Sequence, residues 1–217
     1  MIRKKEYLWL WRDYDSFLYN VAILINQDNQ EMNVKISVFG SSLPKPSEPA
    51  YQEGLLLGRL LGKRGFTVLT GGYMGTMEAV SKGAAENGAH VIGVTCDEIE
   101  SYRPVKPNHW VQEEIRRQYL RERIFVLINK CNIALALNGG IGTLNEVISL
   151  WNNMIIKALP SRPLILIGSS WFDAIHNLYT CMDDFIPKEH RKLISFAEDS
   201  GQTLNIIDEH IYDYCQD

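Results

Sequence analysis

The chain has 217 residues, 46% of them hydrophobic, and a net charge of −4. That length suits one substantial domain with a two-sided core, and the mild acidity argues against a general nucleic-acid binder, which needs a basic face. Its four cysteines (Cys96, Cys131, Cys181, Cys215) form no CxxC pair, so zinc and redox motifs are unsupported and a reducing cytoplasm is the expected setting, while no apolar stretch approaches membrane-spanning length.

Residues 1–33 differ from the rest. They are rich in aromatic residues, among them Tyr7, Trp9, Trp11, Tyr14, Phe17 and Tyr19. The apolar run 21–25 is too short for a signal-peptide core. The expectation is an N-terminal extension, with Met32 the natural start and residues 1–31 translated upstream sequence. The competing reading is an extra helix or strand on the surface. Residues 34–217 read as one domain.

From residue 34 onward, strands and helices alternate. A β-rich first strand over 34–39 ends in Gly40-Ser41-Ser42. A helix over 50–64 is closed by Gly65. A second strand over 66–70 runs into the glycine loop Gly71–Gly75, then a helix over 76–87. A third strand covers 90–95. Cys96 to Asn108 carries Pro104 and Pro107 and no period, so a long loop is expected beside a site. Tyr102, Arg103, Asn108 and His109 are within reach of a ligand from it, although a solvated loop is the ordinary outcome. Residues 110–130 show helical spacing and a cluster of arginines. Arg116, Arg117 and Arg121 read as surface charges, whereas Arg123 lies among apolar neighbours and needs a buried partner. A buried strand over 131–137 and a helix over 147–158 flank a second glycine stretch. Cys131 reads as a small apolar core residue. A strand over 163–168, a helix over 171–182, an edge strand over 194–197 and a C-terminal helix over 202–214 complete the chain. Such alternation with short glycine turns predicts βαβ units. With right-handed crossovers it predicts an α/β fold: a doubly wound, mostly parallel, Rossmann-like sheet with helices on both faces.

The stretch around which this order turns is Asn138-Gly139-Gly140-Ile141-Gly142-Thr143-Leu144-Asn145-Glu146. It sits where a buried strand becomes a helix, at the carboxyl end of the strand, where open α/β sheets bind ligands. Helix-start N–H groups favour an anion there, most simply a phosphate. It is not a dinucleotide fingerprint, because Asn145 stands where the third glycine would be. Thr143 and Glu146 also have capping-box spacing, which would account for both without a ligand. The loops at Gly40, Gly71 and Gly139 all follow strands, so one ligand could touch all three. The candidate contacts are Gly40, Ser41, Ser42, Gly71, Gly72, Gly75, Asn108, Gly139, Gly140, Ile141, Gly142 and Thr143.

The same stretch resembles the PGGxGTxxE motif of the LOG family, the cytokinin-activating phosphoribohydrolases once labelled lysine decarboxylases. Asn138 stands where that motif has proline. A second family motif, M-H-x-R-K, aligns its arginine with Arg123, while Ile124 replaces the lysine. A third, TGGxxGxMEA, is matched by Thr70-Gly71-Gly72-Tyr73-Met74-Gly75-Thr76-Met77-Glu78-Ala79. The resemblance covers residues 34–178. It implies hydrolysis of the N-glycosidic bond of a nucleoside 5′-monophosphate, with Arg123 and Glu146 as catalytic residues, no metal or organic cofactor, and a homodimer. The helix after the glycines supports the last point with an apolar arc wider than one sheet face needs. The superfamily also holds molybdenum-cofactor carriers, which implies the alternative of a protein that binds a phosphorylated ligand without turnover. Lysine decarboxylation would need a Schiff-base lysine, and these loops hold none; Lys82 and Lys157 are expected inside helices.

Overall fold

In a computed structural model that describes residues 34–214, seven short strands make one sheet. The expectations for residues 1–33, the Met32 start among them, lie outside the described residues. The strands are β1 (Lys35–Phe39), β2 (Thr67–Thr70), β3 (Val91–Cys96), β4 (Glu113–Arg117), β5 (Ile133–Ala136), β6 (Leu164–Ile167) and β7 (Ser195–Ala197). They lie in the order β4-β3-β2-β1-β5-β6-β7, and every neighbouring pair is parallel. The helices are α1 (Pro49–Lys63), α2 (Thr76–Ala85), α3 (Asp97–Tyr102), α4 (Leu120–Asn129), α5 (Ile141–Ile155), α6 (Ser169–Cys181), α7 (Lys188–Arg191) and α8 (Ser200–Tyr214).

The period-two alternation of the strands sorts the helices into two layers. Ile36 and Val38 of β1 point to a core shared with Leu57 and Leu61 of α1, Val80 and Ala84 of α2, and Leu204 and Ile207 of α8. Phe39 points the other way, toward Leu127 of α4, Val147 and Leu150 of α5, and Trp171 of α6. The doubly wound α/β architecture expected from the chain order is therefore the one observed. The chain winds outward from β1 to β4, then returns to lay β5 on the other side of β1. Strand order reverses between β1 and β5, which makes their carboxyl ends the switch point of the sheet.

Three elements differ from their sequence reading. Residues 110–130 are not one helix. Glu113–Arg117 is the edge strand β4, and α4 begins only at Leu120. Four charged residues in five suit a strand with one neighbour, because charge protects a free edge, and only Ile115 packs on the core. The helical spacing came from Ile115 and Tyr119, which belong to different elements. The loop expected over 96–108 begins with the six-residue helix α3, whose Asp97, Glu98 and Glu100 lie in the first turn and complement its dipole. Finally, α5 starts at Ile141, six residues before the expected start, and ends at Ile155. Lys157, expected inside that helix, lies beyond it with φ 57°.

Packing details hold both ends of the sheet in place. Gly54, Gly58 and Gly62 line the side of α1 that meets α2. A Cβ on Gly58 would strike the Val80 carbonyl and come within 2.9 Å of Ala84 N. This contact draws α2 close and fixes its first residue, Thr76. At the opposite edge, the buried Arg162 donates to the Ile128 carbonyl at 3.0 Å and to the Cys131 carbonyl. That satisfies the negative C-terminal end of α4. Cys131 is itself 4% exposed, in the core.

Candidate functional site

Because all strands are parallel, the loops after β1, β2 and β5 emerge on one edge, and these three strands are adjacent. The β1 loop is tied down from the β2 side. Thr76 N and Thr76 Oγ1 both donate to the Ser41 carbonyl, at 2.8 and 3.0 Å. Gly75 takes φ 75°, a conformation that L side chains rarely adopt, and a Cβ there would collide with Ser41 O and lie 2.7 Å from Ser42 Cα. Gly40 faces the Thr76 side chain, and Gly139 faces Thr143 in the same way. Both threonines are buried and follow a glycine at a helix start. The sequence reading passed over Thr76, and the repeated Gly-Thr pair was the available signal.

The second glycine turn is open. Gly139, Gly140, Ile141 and Gly142 are exposed, and a Cβ on Gly140 or Gly142 would meet no atom within 4 Å. Gly140 is the N-cap of α5, and no side chain caps the helix. The N–H groups of Ile141, Gly142 and Thr143 belong to the first turn, which has no intrahelical acceptors for them. They are the natural anchor for an anion.

The capping-box reading of Thr143 and Glu146 fails here. With the N-cap at Gly140, Thr143 is already in the first helical turn and Glu146 in the second. The Glu146 side chain instead turns inward. Arg123 Nη1 donates to Glu146 Oε1 at 3.0 Å, and Arg123 Nε donates to the Val94 carbonyl at 2.8 Å. Both side chains are almost wholly buried, 6% and 9% exposed. Among the described residues no hydrogen bond reaches Glu146 Oε2. Burial pushes the Glu146 carboxyl above the ordinary glutamate value, against the opposing pull of Arg123.

Around this pair the β2 loop forms a wall. Gly71 backs onto the guanidinium, and a Cβ there would overlap Arg123 Nη2 and Met77 Sδ. The Tyr73 ring centroid lies 6.0 Å from Arg123 Cζ. Tyr73 Oη accepts from Cys96 N at 2.9 Å, and burial pushes its pKa up to about 12, so the ring stays neutral. Asn108, expected to touch a ligand, has its amide committed to this wall. Its Nδ2 donates to the carbonyls of Gly72 and Tyr73 at 3.0 and 2.9 Å, and its Oδ1 accepts from Trp110 N. Gly72 is likewise buried under that contact. Ile124, where a second cation would stand, is part of the apolar core. Asn138 is exposed beside Gly168, at the start of α6. Among the described residues no group of three His, Cys, Asp or Glu is placed to hold a metal ion, and no helix is long and apolar enough to cross a membrane.

Fold and site together define a doubly wound α/β protein with an open, uncapped helix start and a buried Arg–Glu pair at its switch point. The model of the SLOG cluster4 family matches residues 33–174, and the chain belongs to that family. It is 28% identical over 154 residues to a rice (Oryza sativa subsp. japonica) protein named probable cytokinin riboside 5′-monophosphate phosphoribohydrolase LOGL9, spanning 70% of this chain and 67% of that one. A Mycobacterium marinum protein named cytokinin riboside 5′-monophosphate phosphoribohydrolase is 28% identical over 141 residues, spanning 64% and 74%. These matches bear out the LOG resemblance drawn from the three motifs. Among solved structures, the molybdenum cofactor binding protein of Rippkaea orientalis shares the fold, with a TM-score of 0.64 at 22% identity over 84% of this chain and 99% of that one.

Proposed function

We propose that the protein hydrolyses the N-glycosidic bond of a nucleoside 5′-monophosphate, releasing the free base and ribose 5-phosphate. The observation that carries this reading is the buried Arg123–Glu146 pair set beside an open helix start. The phosphate rests on the first-turn N–H groups of α5. Cleavage passes through an oxocarbenium-like state, which a carboxylate beside the sugar stabilises. Glu146 holds one oxygen on Arg123 and keeps Oε2 for the sugar or for the attacking water. Arg123 fixes that carboxylate and offers charge to the departing base. The names of the rice and mycobacterial relatives support this substrate class.

A second reading is favoured by one observation. Ile124 places a buried apolar side chain where the family motif has lysine, so this position offers the reacting centre no second cation. The same edge would then hold a phosphorylated pterin or nucleotide without turnover; the Rippkaea protein that shares the fold is named a molybdenum cofactor binding protein.

A panel of nucleoside monophosphates assayed for ribose 5-phosphate and free base separates the two. Hydrolysis of at least one member is expected. Glu146→Gln should lower kcat by about 10²–10⁴-fold, the usual size of a lost acid–base group, while nucleotide binding survives on the untouched helix start. Wild-type turnover in a folded Glu146→Gln protein would remove Glu146 from the chemistry. Tight pterin binding with no hydrolysis across the panel would favour the carrier.

A further inference from the structure

The arginines of the described residues are mostly accounted for. Arg64, Arg116, Arg123 and Arg191 each meet a carboxylate. Arg117 and Arg162 donate to backbone carbonyls, and Arg59 and Arg121 are exposed. Arg103 belongs to none of these groups. It is half-buried, its Nη1 donates to Ser42 Oγ at 3.2 Å, and its Nε is sealed from solvent with no hydrogen-bond partner among the described residues. No ion pair among those residues includes it.

A half-buried guanidinium that has given up water without meeting an anion is costly to keep. Its position says where the anion would come from. Arg103 directly follows α3, the helix that leaves the end of β3. Its side chain lands on the β1 loop, whose backbone is pressed against Gly75 and anchored by Thr76. It therefore lies on the β1 side of the switch point, with the open start of α5 on the β5 side. β1 and β5 are neighbours in the sheet, and adjacent strands are about 4.8 Å apart. Because Ser42 Oγ accepts from Arg103, its own hydroxyl hydrogen is available to a ligand oxygen.

We infer that Arg103, with the Ser42 hydroxyl, supplies the counter-charge for the phosphate of the bound ligand, facing the helix start of α5 across the switch point. This rests on the reading of the site as one for a nucleoside monophosphate. Arg103 thus selects phosphorylated ligands over their dephosphorylated forms, and it takes no part in cleaving the glycosidic bond.

The test is the affinity for adenosine 5′-monophosphate and for adenosine, measured by calorimetry on the wild type, Arg103→Gln and Arg103→Lys. The wild type should prefer the monophosphate. Arg103→Gln should weaken monophosphate binding by about 10–100-fold, the size of a lost hydrogen bond to a charged group. Its affinity for adenosine should stay within about twofold, and Arg103→Lys should recover part of the loss. Equal weakening of both ligands would make Arg103 a mere support of the loop and overturn the inference. So would unchanged monophosphate affinity in a folded Arg103→Gln protein, or a wild type with no preference for the monophosphate. Failure of the hydrolytic reading shows separately, as absence of ribose 5-phosphate release while the preference for the monophosphate persists.

Discussion

At the scale of single residues, the proposed chemistry converges on Glu146. Its carboxyl is pushed upward by burial, with Arg123 opposing. The proposed role needs the ionised form, because a neutral acid neither stabilises a sugar cation nor accepts a proton from water. Activity is then lost as pH falls through the Glu146 pKa. A raised pKa moves that loss to higher pH. The acid limb of kcat/KM is therefore expected above the ordinary glutamate range, and a rate profile from pH 4 to 8 measures it. An acid limb at or below that range would mean that Arg123 outweighs burial in the free enzyme. Gly71 matters to the same pair, since its missing side chain is the space the Arg123 guanidinium occupies. The glycine loop after β2 thus shapes the wall behind the Arg123–Glu146 pair, and its glycines serve packing there.

At the scale of elements, the site depends on how closely α2 lies against α1. The first residues of α2 hold the β1 loop through Thr76, and α2 is drawn in by the glycine side of α1. Gly58→Ala puts a methyl group against the Val80 backbone, and the helices must separate. Overpacking of this kind costs about 1–3 kcal/mol. A lower Tm is expected together with weaker ligand binding, although Gly58 is remote from the switch point. Thermal denaturation checks the first, and calorimetry with a nucleoside monophosphate checks the second. Stability lost with affinity unchanged would show that the β1 loop holds its place without α1. Residues 113–117 carry a different lesson. Their charges resemble those of a solvated helix face, and nothing local marks them as a strand. They become one because β3 offers a free parallel edge, with Glu113 beside Ile92 and Arg117 beside Cys96.

At the scale of the whole molecule, α5 divides its apolar arc. Val147, Leu150, Trp151 and Met154 are buried against the sheet. Ile141, Leu144, Ile148 and Ile156 remain exposed, and Phe125 of the neighbouring α4 is 58% exposed. Ile141, Leu144 and Ile148 recur at helical intervals along one side of α5, and apolar surface of that kind suits an interface between chains. A homodimer through α4 and α5 is expected. Light scattering at micromolar concentration should report twice the monomer mass, and Ile148→Glu should shift it toward monomer. A wild type that stays monomeric at that concentration would remove the dimer.

Much of this was determined by the sequence alone. Buried parallel strands are short apolar runs, and their glycine exits are local features, so strand order along the chain and the doubly wound class follow from pattern. Arg123 could be singled out as buried because a lone arginine among Ile124, Val126 and Leu127 has few other options. The tertiary structure decided what depends on distant neighbours. Thr143 and Glu146 have the spacing of a cap, and only the true start of α5 at Ile141 denies them that role. Glu146 and Arg123 are 23 residues apart and meet because α4 and α5 pack on the same face of the sheet. Asn108 and Arg103 lie on one segment, yet the first is consumed by the Gly72 and Tyr73 carbonyls while the second is left without an anion. Whether a polar side chain is spent within the fold or kept for a ligand depends on which backbone groups come within about 3 Å of it. Periodicity records which face a residue takes and carries no information about that distance.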